Sequence, residues 1–154
     1  MARGKIENVV TQSVLDRLMA VEEWPATRAQ SLRFFKDSLK RDVEWLLNAR
    51  RPPIEEMQDY PLAASSVINY GLPDINSLSA GSSRDQHALI VTIQKALRSY
   101  EPRIANAKVF LSRAELANRS IRFLVQGQIM LDPAPEDISF DTVLELTKGE
   151  YEVK

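Results

Sequence analysis

Apolar residues recur at helical spacing through the first two thirds of the chain and at alternate positions through the last third, so the pattern predicts helices followed by strands. From Thr27 onward, Leu32, Phe35, Leu39, Val43, Leu46 and Leu47 fall on one stripe of an amphipathic helix. Arg33, Lys36, Asp37, Lys40, Arg41 and Glu44 lie opposite, towards solvent or a partner. Thr27 and Gln30 have capping-box spacing, and Pro52-Pro53 prevents continuation. A shorter helix is predicted over residues 62–70, with Gly71 as a left-handed C-cap and Pro73 after it. A third begins near Ser83, with Gln86 completing a second capping box, and buries Leu89, Ile93, Ala96, Leu97 and Tyr100.

After Arg103 the period changes to two. Residues 104–111 read as a first strand. Ile121, Phe123, Val125, Ile129 and Leu131 share one face of a second, in which Gly127 allows a bulge or a close backbone approach. Phe140, Thr142, Leu144 and Leu146 mark a third. The expected fold is therefore α+β, with three main helices followed by a three-stranded antiparallel β-meander. Residues 1–26 read as an N-terminal extension, in which Val14, Leu15 and Leu18 pack on the body and Glu22-Glu23-Trp24-Pro25 breaks a short helix. Residues 27–154 read as the domain. If neighbours in sequence pair, the third strand is an edge, and its Thr142, Leu144 and Leu146 are candidates for strand addition by a partner. Lys148, Glu150, Glu152 and Lys154 are then charged gatekeepers of that edge.

The 154 residues suffice for one domain with a real core, and 44% hydrophobic with 27% charged residues is ordinary for a globular protein. A formal net charge of -1 gives no overall basic field for nucleic acid or anionic lipid. The absence of cysteine excludes disulfides, thiolate metal sites and thiol nucleophiles. The basic start lacks the apolar run of a signal peptide, and no segment is long and apolar enough to span a bilayer, so a cytoplasmic protein without membrane insertion is expected.

Candidate chemistry is sparse. The single histidine, His87, has no Gly-x-Ser-x-Gly elbow to serve, and no metal, phosphate-loop or cofactor motif occurs. Glycoside hydrolysis needs only two carboxylates, for which Glu44, Glu101 and Asp74 are candidates, but nothing in the sequence sets one carboxyl apart as the acid. Arg50 and Arg51 serve either as exposed contacts or as charges at a helix C-terminus. Tyr100-Glu101-Pro102-Arg103-Ile104 stands out because proline ends the helix and fixes a carboxylate and a guanidinium on a stiff turn.

Residues 41–51 (Arg-Asp-Val-Glu-Trp-Leu-Leu-Asn-Ala-Arg-Arg), 66–74 (Ser-Val-Ile-Asn-Tyr-Gly-Leu-Pro-Asp) and 100–104 together resemble one family in order and approximate spacing. It is the TssE family, the baseplate wedge components of bacterial type VI secretion systems, related to the small lysozyme-like wedge protein of contractile phage tails. The resemblance runs from about Ser13 to the C-terminus, with Ile104 where relatives commonly carry another aliphatic residue. It implies a structural, non-enzymatic adaptor without cofactors. The adaptor would join the wedge proteins TssF and TssG and offer strands that begin the contractile sheath, in a baseplate near the inner membrane. By position, Glu101, Pro102 and Arg103 correspond to a Glu-Pro-Arg motif that docks on the wedge core. Trp45 and Leu46 are expected to pack inside. The alternatives are a peptidoglycan glycosidase using Glu44 or Glu101, and an anti-adaptor or regulatory binding module on the same fold.

Overall fold

The computed structural model describes residues 10–19, 25–75, 78–115, 119–132 and 134–154. The basic start and the proposed break at Glu22-Glu23-Trp24 lie outside them. Helix α1 (Val14–Leu18) is a single turn capped by Ser13, and α2 (Arg28–Asn48) is the first long element. Thr27 and Gln30 close the expected capping box, and Phe35, Leu39, Val43, Leu46 and Leu47 form the buried stripe. The second long helix is α4 (Ser83–Tyr100), which buries Leu89, Ile93, Ala96 and Leu97. Its cap is Ser82, which accepts from the Asp85 amide, one residue earlier than the spacing suggested.

Two corrections concern the element count. The expected middle helix does not form: residues 52–69 hold a 3-10 turn (Glu55–Asp59), a four-residue α3 (Pro61–Ala64) and another 3-10 turn (Val67–Asn69). Ser65 and Ser66 break the run. Their hydroxyls donate to the carbonyls of Pro61 and Ala63, and Ser66 Oγ then accepts from the Ile68 amide, a local alternative to helical bonding. Gly71, at φ +100, is consequently no helix cap. It lets the chain lie against Ala49 at the end of α2, where a Cβ would collide with the Ala49 backbone. There Leu72 donates to Ala49 O at 2.9 Å and accepts from the Arg51 amide at 2.9 Å.

The sheet has four strands, not three, in the order β1 (Ile104–Glu115), β2 (Ser120–Ile129), β3 (Glu136–Glu145) and β4 (Glu150–Val153), all antiparallel. Two of the four residues read as gatekeepers of β3, Glu150 and Glu152, belong to β4, where they are exposed and alternate with buried Tyr151 and Val153, and Lys148 and Lys154 flank the strand. Over Thr142–Glu145, β3 is therefore an inner strand, while β4 leaves its first half, from Glu136, unpaired on that side. Thr142 pairs with both Phe123 and Val153, Leu144 with both Ile121 and Tyr151, and the Leu146 amide is held by Arg119 O just past the strand. The three proposed strand-addition residues have no free edge because the chain turns back at Gly149 to supply a fourth strand.

The two long helices cover one face of this sheet, and the core lies between. Phe123, Val125, Ile129, Phe140 and Leu144 meet Leu39, Leu47, Ile93 and Leu97 there. Gly127 behaves as its position in the row suggested. Asn106 and Ala107 of β1 oppose it as a bulge, and Ile104 occupies the space that a side chain would need.

Candidate functional site

The stop at Tyr100 is made by the backbone. Glu101 donates its amide to Leu97 O, ending α4, and its own carbonyl accepts from the Ile104 amide at 3.1 Å. This closes a four-residue turn with Pro102 at the position where its fixed φ is favourable. Strand β1 begins immediately, so the turn is anchored on both sides.

The Glu101 and Arg103 side chains meet across it. Arg103 grips Glu101 with two parallel bonds, Nε to Oε1 at 2.6 Å and Nη2 to Oε2 at 2.5 Å. Its Nη2 also reaches Asp42 Oδ2 on α2 at 2.7 Å, and the guanidinium lies 5.8 Å from the Phe35 ring centre. Asp42 in turn accepts from Arg41 Nε and Nη2 at 3.0 and 2.7 Å. Arg41 Nη2 lies 2.9 Å from Oδ1 of Asp16, an ion pair by distance that lacks the alignment of a hydrogen bond. Asp16 Oδ2 accepts from Ser13 Oγ at 2.5 Å. The turn is thus the end of a chain of charges that runs across α2 to α1.

Burial decides what this network does. Glu101 is 5% exposed and Asp16 0%, so both carboxylates have given up water for these partners. Burial opposes the Asp16 charge, yet Ser13 and Arg41 together hold its carboxyl below the usual value. The bonds to Glu101 foremost, helped by Asp42, outweigh desolvation and raise Arg103 further above the ordinary arginine value. Tyr70, whose ring meets Tyr100 edge-on at 5.3 Å, is pushed up by burial and then by the carboxylates of Asp42 and Glu101.

What remains on the surface is Pro102, which is exposed, and about a quarter of the Arg103 side chain, 25% by area. They form one wall of a groove whose other sides are Val10, Phe35, Met130 and Leu131 together with the polar Thr11, Arg28 and Asp132. Val10 is held there because its amide donates to Ser31 Oγ at 3.0 Å, and Gln12 Nε2 bonds both Val10 O and Ser31 O at 3.1 Å.

Residues 34–134 match the family model for baseplate wedge protein gp25, about two thirds of the chain. The chain belongs to the baseplate wedge protein gp25 family. TssE is of this family, and the assignment carries a structural role in a baseplate, assembled with other baseplate proteins. No curated protein sequence matches the chain. Among the described residues, no helix is long and apolar enough to cross a membrane.

The other sequence candidates of this wedge protein are placed as follows. Arg50 is a helix-end charge: Nη1 donates to Leu47 O at 2.9 Å, Nη2 donates to Gly149 O, and the guanidinium lies 5.9 Å from the Tyr151 ring centre. Arg51 is half-buried, with its amide in the bridge to Leu72. Leu46 is buried as expected, but Trp45 is 50% exposed, with Arg41 4.8 Å above its ring. Val14, Leu15 and Leu18 face outward, and it is Asp16 that α1 turns inward. Glu44 accepts from the Val153 amide at 3.1 Å.

Asp42, Arg41, Asp16 and Ser13 were missed as site residues because each reads locally as a surface charge or a cap. One signal was available for Asp42. It lies seven residues, or two helical turns, after Phe35, on the flank of the buried stripe.

Proposed function

We propose that this chain is a non-enzymatic adaptor of a type VI secretion baseplate in the cytoplasm near the inner membrane, with residues 27–154 as the wedge domain and 1–26 as its extension. It docks on the TssF and TssG core through the Glu101-Pro102-Arg103 turn, with Arg50 and Arg51 as further contacts, and begins the contractile sheath by adding strands. The observation that supports docking is the division of labour in the turn. The Glu101 clamp and Asp42 fix Arg103, while Pro102 and the outer part of the guanidinium are left at the lip of a groove that mixes apolar residues with Arg28 and Asp132. A preset contact loses little conformational freedom on binding. The non-enzymatic reading is supported by the carboxylates themselves: Glu101 is held by Arg103 and Glu44 holds β4, so each has a structural task.

Strand addition on this fold belongs to the β1 edge. Residues 110–113 are exposed one after another, including Phe110 and Leu111, as expected of a strand that runs past its own helical cover. The test is co-purification with TssF, TssG and sheath protein. Met130→Asp, on the groove lip and 69% exposed, is expected to lose TssF and TssG while retaining the wild-type melting temperature. Leu111→Lys is expected to keep the wedge but lose sheath assembly. Wild-type recovery of all partners by both variants would overturn the reading.

A further inference from the structure

A second concave site lies where β1 bulges beside α4. Arg98, Asn106, Lys108, Gln126, Gly127 and Gln128 line it, and it shares no residue with the groove at Pro102. Its shape is imposed by the backbone. Two residues oppose the single Gly127, Asn106 stands in the left-handed region at φ 55, and Gln94 Nε2 ties Ala107 O to α4 at 3.2 Å. A non-glycine residue at positive φ carries a conformational cost, and bulges commonly re-aim side chains at functional positions.

The lining combines two cationic side chains with three carboxamides, which carry both donors and acceptors. Arg98 and Lys108 are exposed, and among the described residues neither is in an ion pair. The amides are already ordered relative to one another: Asn106 Nδ2 points to Gln128 Oε1 at 3.4 Å, and Gln128 Nε2 donates to Asp137 Oδ1 at 3.0 Å. Two cations with amide donors between them form a receptor for an oxyanion. The charge count selects among oxyanions. Arg98 and Lys108 contribute +2 and the neighbouring Asp137 takes back one, leaving +1, which matches a carboxylate better than a dianionic phosphate.

We propose that this site binds a carboxylate side chain on an acidic segment of a partner polypeptide, a contact separate from the Glu-Pro-Arg turn. The experiment is an amide NMR titration of the full chain at low ionic strength with a hexaglutamate peptide blocked at both ends, and in parallel with inorganic phosphate. The expected result is saturable shifts confined to residues 106–108 and 126–128 and the side-chain amides of Asn106, Gln126 and Gln128. Arg98→Gln with Lys108→Gln is expected to weaken binding at least tenfold, and Asp137→Asn to tighten it at least twofold. The tightening is a gain that damage to the fold would not produce. Shifts scattered over the surface, equal affinity in the double variant, or phosphate binding the same residues more tightly than the peptide would each overturn the proposal.

Discussion

Replacing Arg103 by alanine tests whether the geometry of the turn is first of all structural. The substitution leaves Glu101, 5% exposed, facing Asp42 with their shared cation gone. Removing one partner of a fully buried pair costs about 3–5 kcal/mol. A quarter of the Arg103 side chain is open to water, so solvent enters the gap and about 2–3 kcal/mol is the appropriate range. For a chain of this size that corresponds to a melting temperature lowered by about 5–10 °C. Thermal melts followed by circular dichroism read the shift, and urea unfolding with an unchanged slope would assign it to stability and not to a change in the unfolded ensemble. The cycle with Glu101→Gln is the sharper measurement. If the pair acts as described, the double variant is more stable than the sum of the single losses by about 1–3 kcal/mol. A melting temperature within about 1 °C of wild type, or simple additivity in the cycle, would refute the structural role. The same arithmetic shows why Arg103→Ala is a poor probe of docking: loss of partners would follow from loss of fold, whereas Met130→Asp touches only the groove.

Two further predictions use the rest of the framework. Asn48 Oδ1 accepts from the Tyr151 amide at 2.8 Å and Asn48 Nδ2 donates to its carbonyl at 2.9 Å, so Asn48→Ala should cost about 1–2 kcal/mol. It should also speed hydrogen exchange at the Tyr151 amide, and unchanged exchange there would show that the side chain does not hold the strand. Asp16, whose folded carboxyl lies below its ordinary 3.8, contributes stability that is complete above that value and is lost as pH falls through the lower folded pKa, because the unfolded chain takes up the proton first. The gap in melting temperature between wild type and Asp16→Asn should therefore be constant from pH 7 to about pH 5 and shrink below about pH 4. A gap that widens in acid would contradict the sign.

Local chemistry made much of this fold legible. The Thr27 box and the steps of both buried stripes are set by residues a few positions apart, and the bulge was signalled by the single glycine Gly127 in an apolar row. The fourth strand was not, because Glu150-Tyr151-Glu152-Val153 offers only two apolar positions, and four residues of alternation read equally well as a charged tail. Residues 62–70 misled in the opposite direction. Leu62, Ala63, Ala64, Val67 and Ile68 have helical spacing, but two adjacent serines redirect the backbone and none of these side chains is fully buried. The Glu-Pro-Arg turn was visible as a stiff display of charge, while its closure was not. Arg103 meets Asp42 across 61 residues of sequence, and no spacing rule links two surface-looking charges at that distance.

The two edges of the sheet differ in a way that bears on the proposed strand addition. At β4 the outward-facing groups are taken by side chains of α2 and the residues just after it: Glu44 by the Val153 amide, Asn48 by both groups of Tyr151, and Arg50 by Gly149 O. Side chains on and just after one helix thus occupy the place of a fifth strand, and a partner arriving there would first have to displace three of them. At β1 the corresponding tie is Gln94 to Ala107 O, beside the bulge, and the strand then continues through four exposed residues. On the proposed function, an incoming strand at residues 110–113 of β1 would exchange water for backbone partners, whereas one at β4 would have to replace bonds already made. Because β1 follows the Glu-Pro-Arg turn without a linker, any load on a strand added there is passed to the Arg103 network and so to α2.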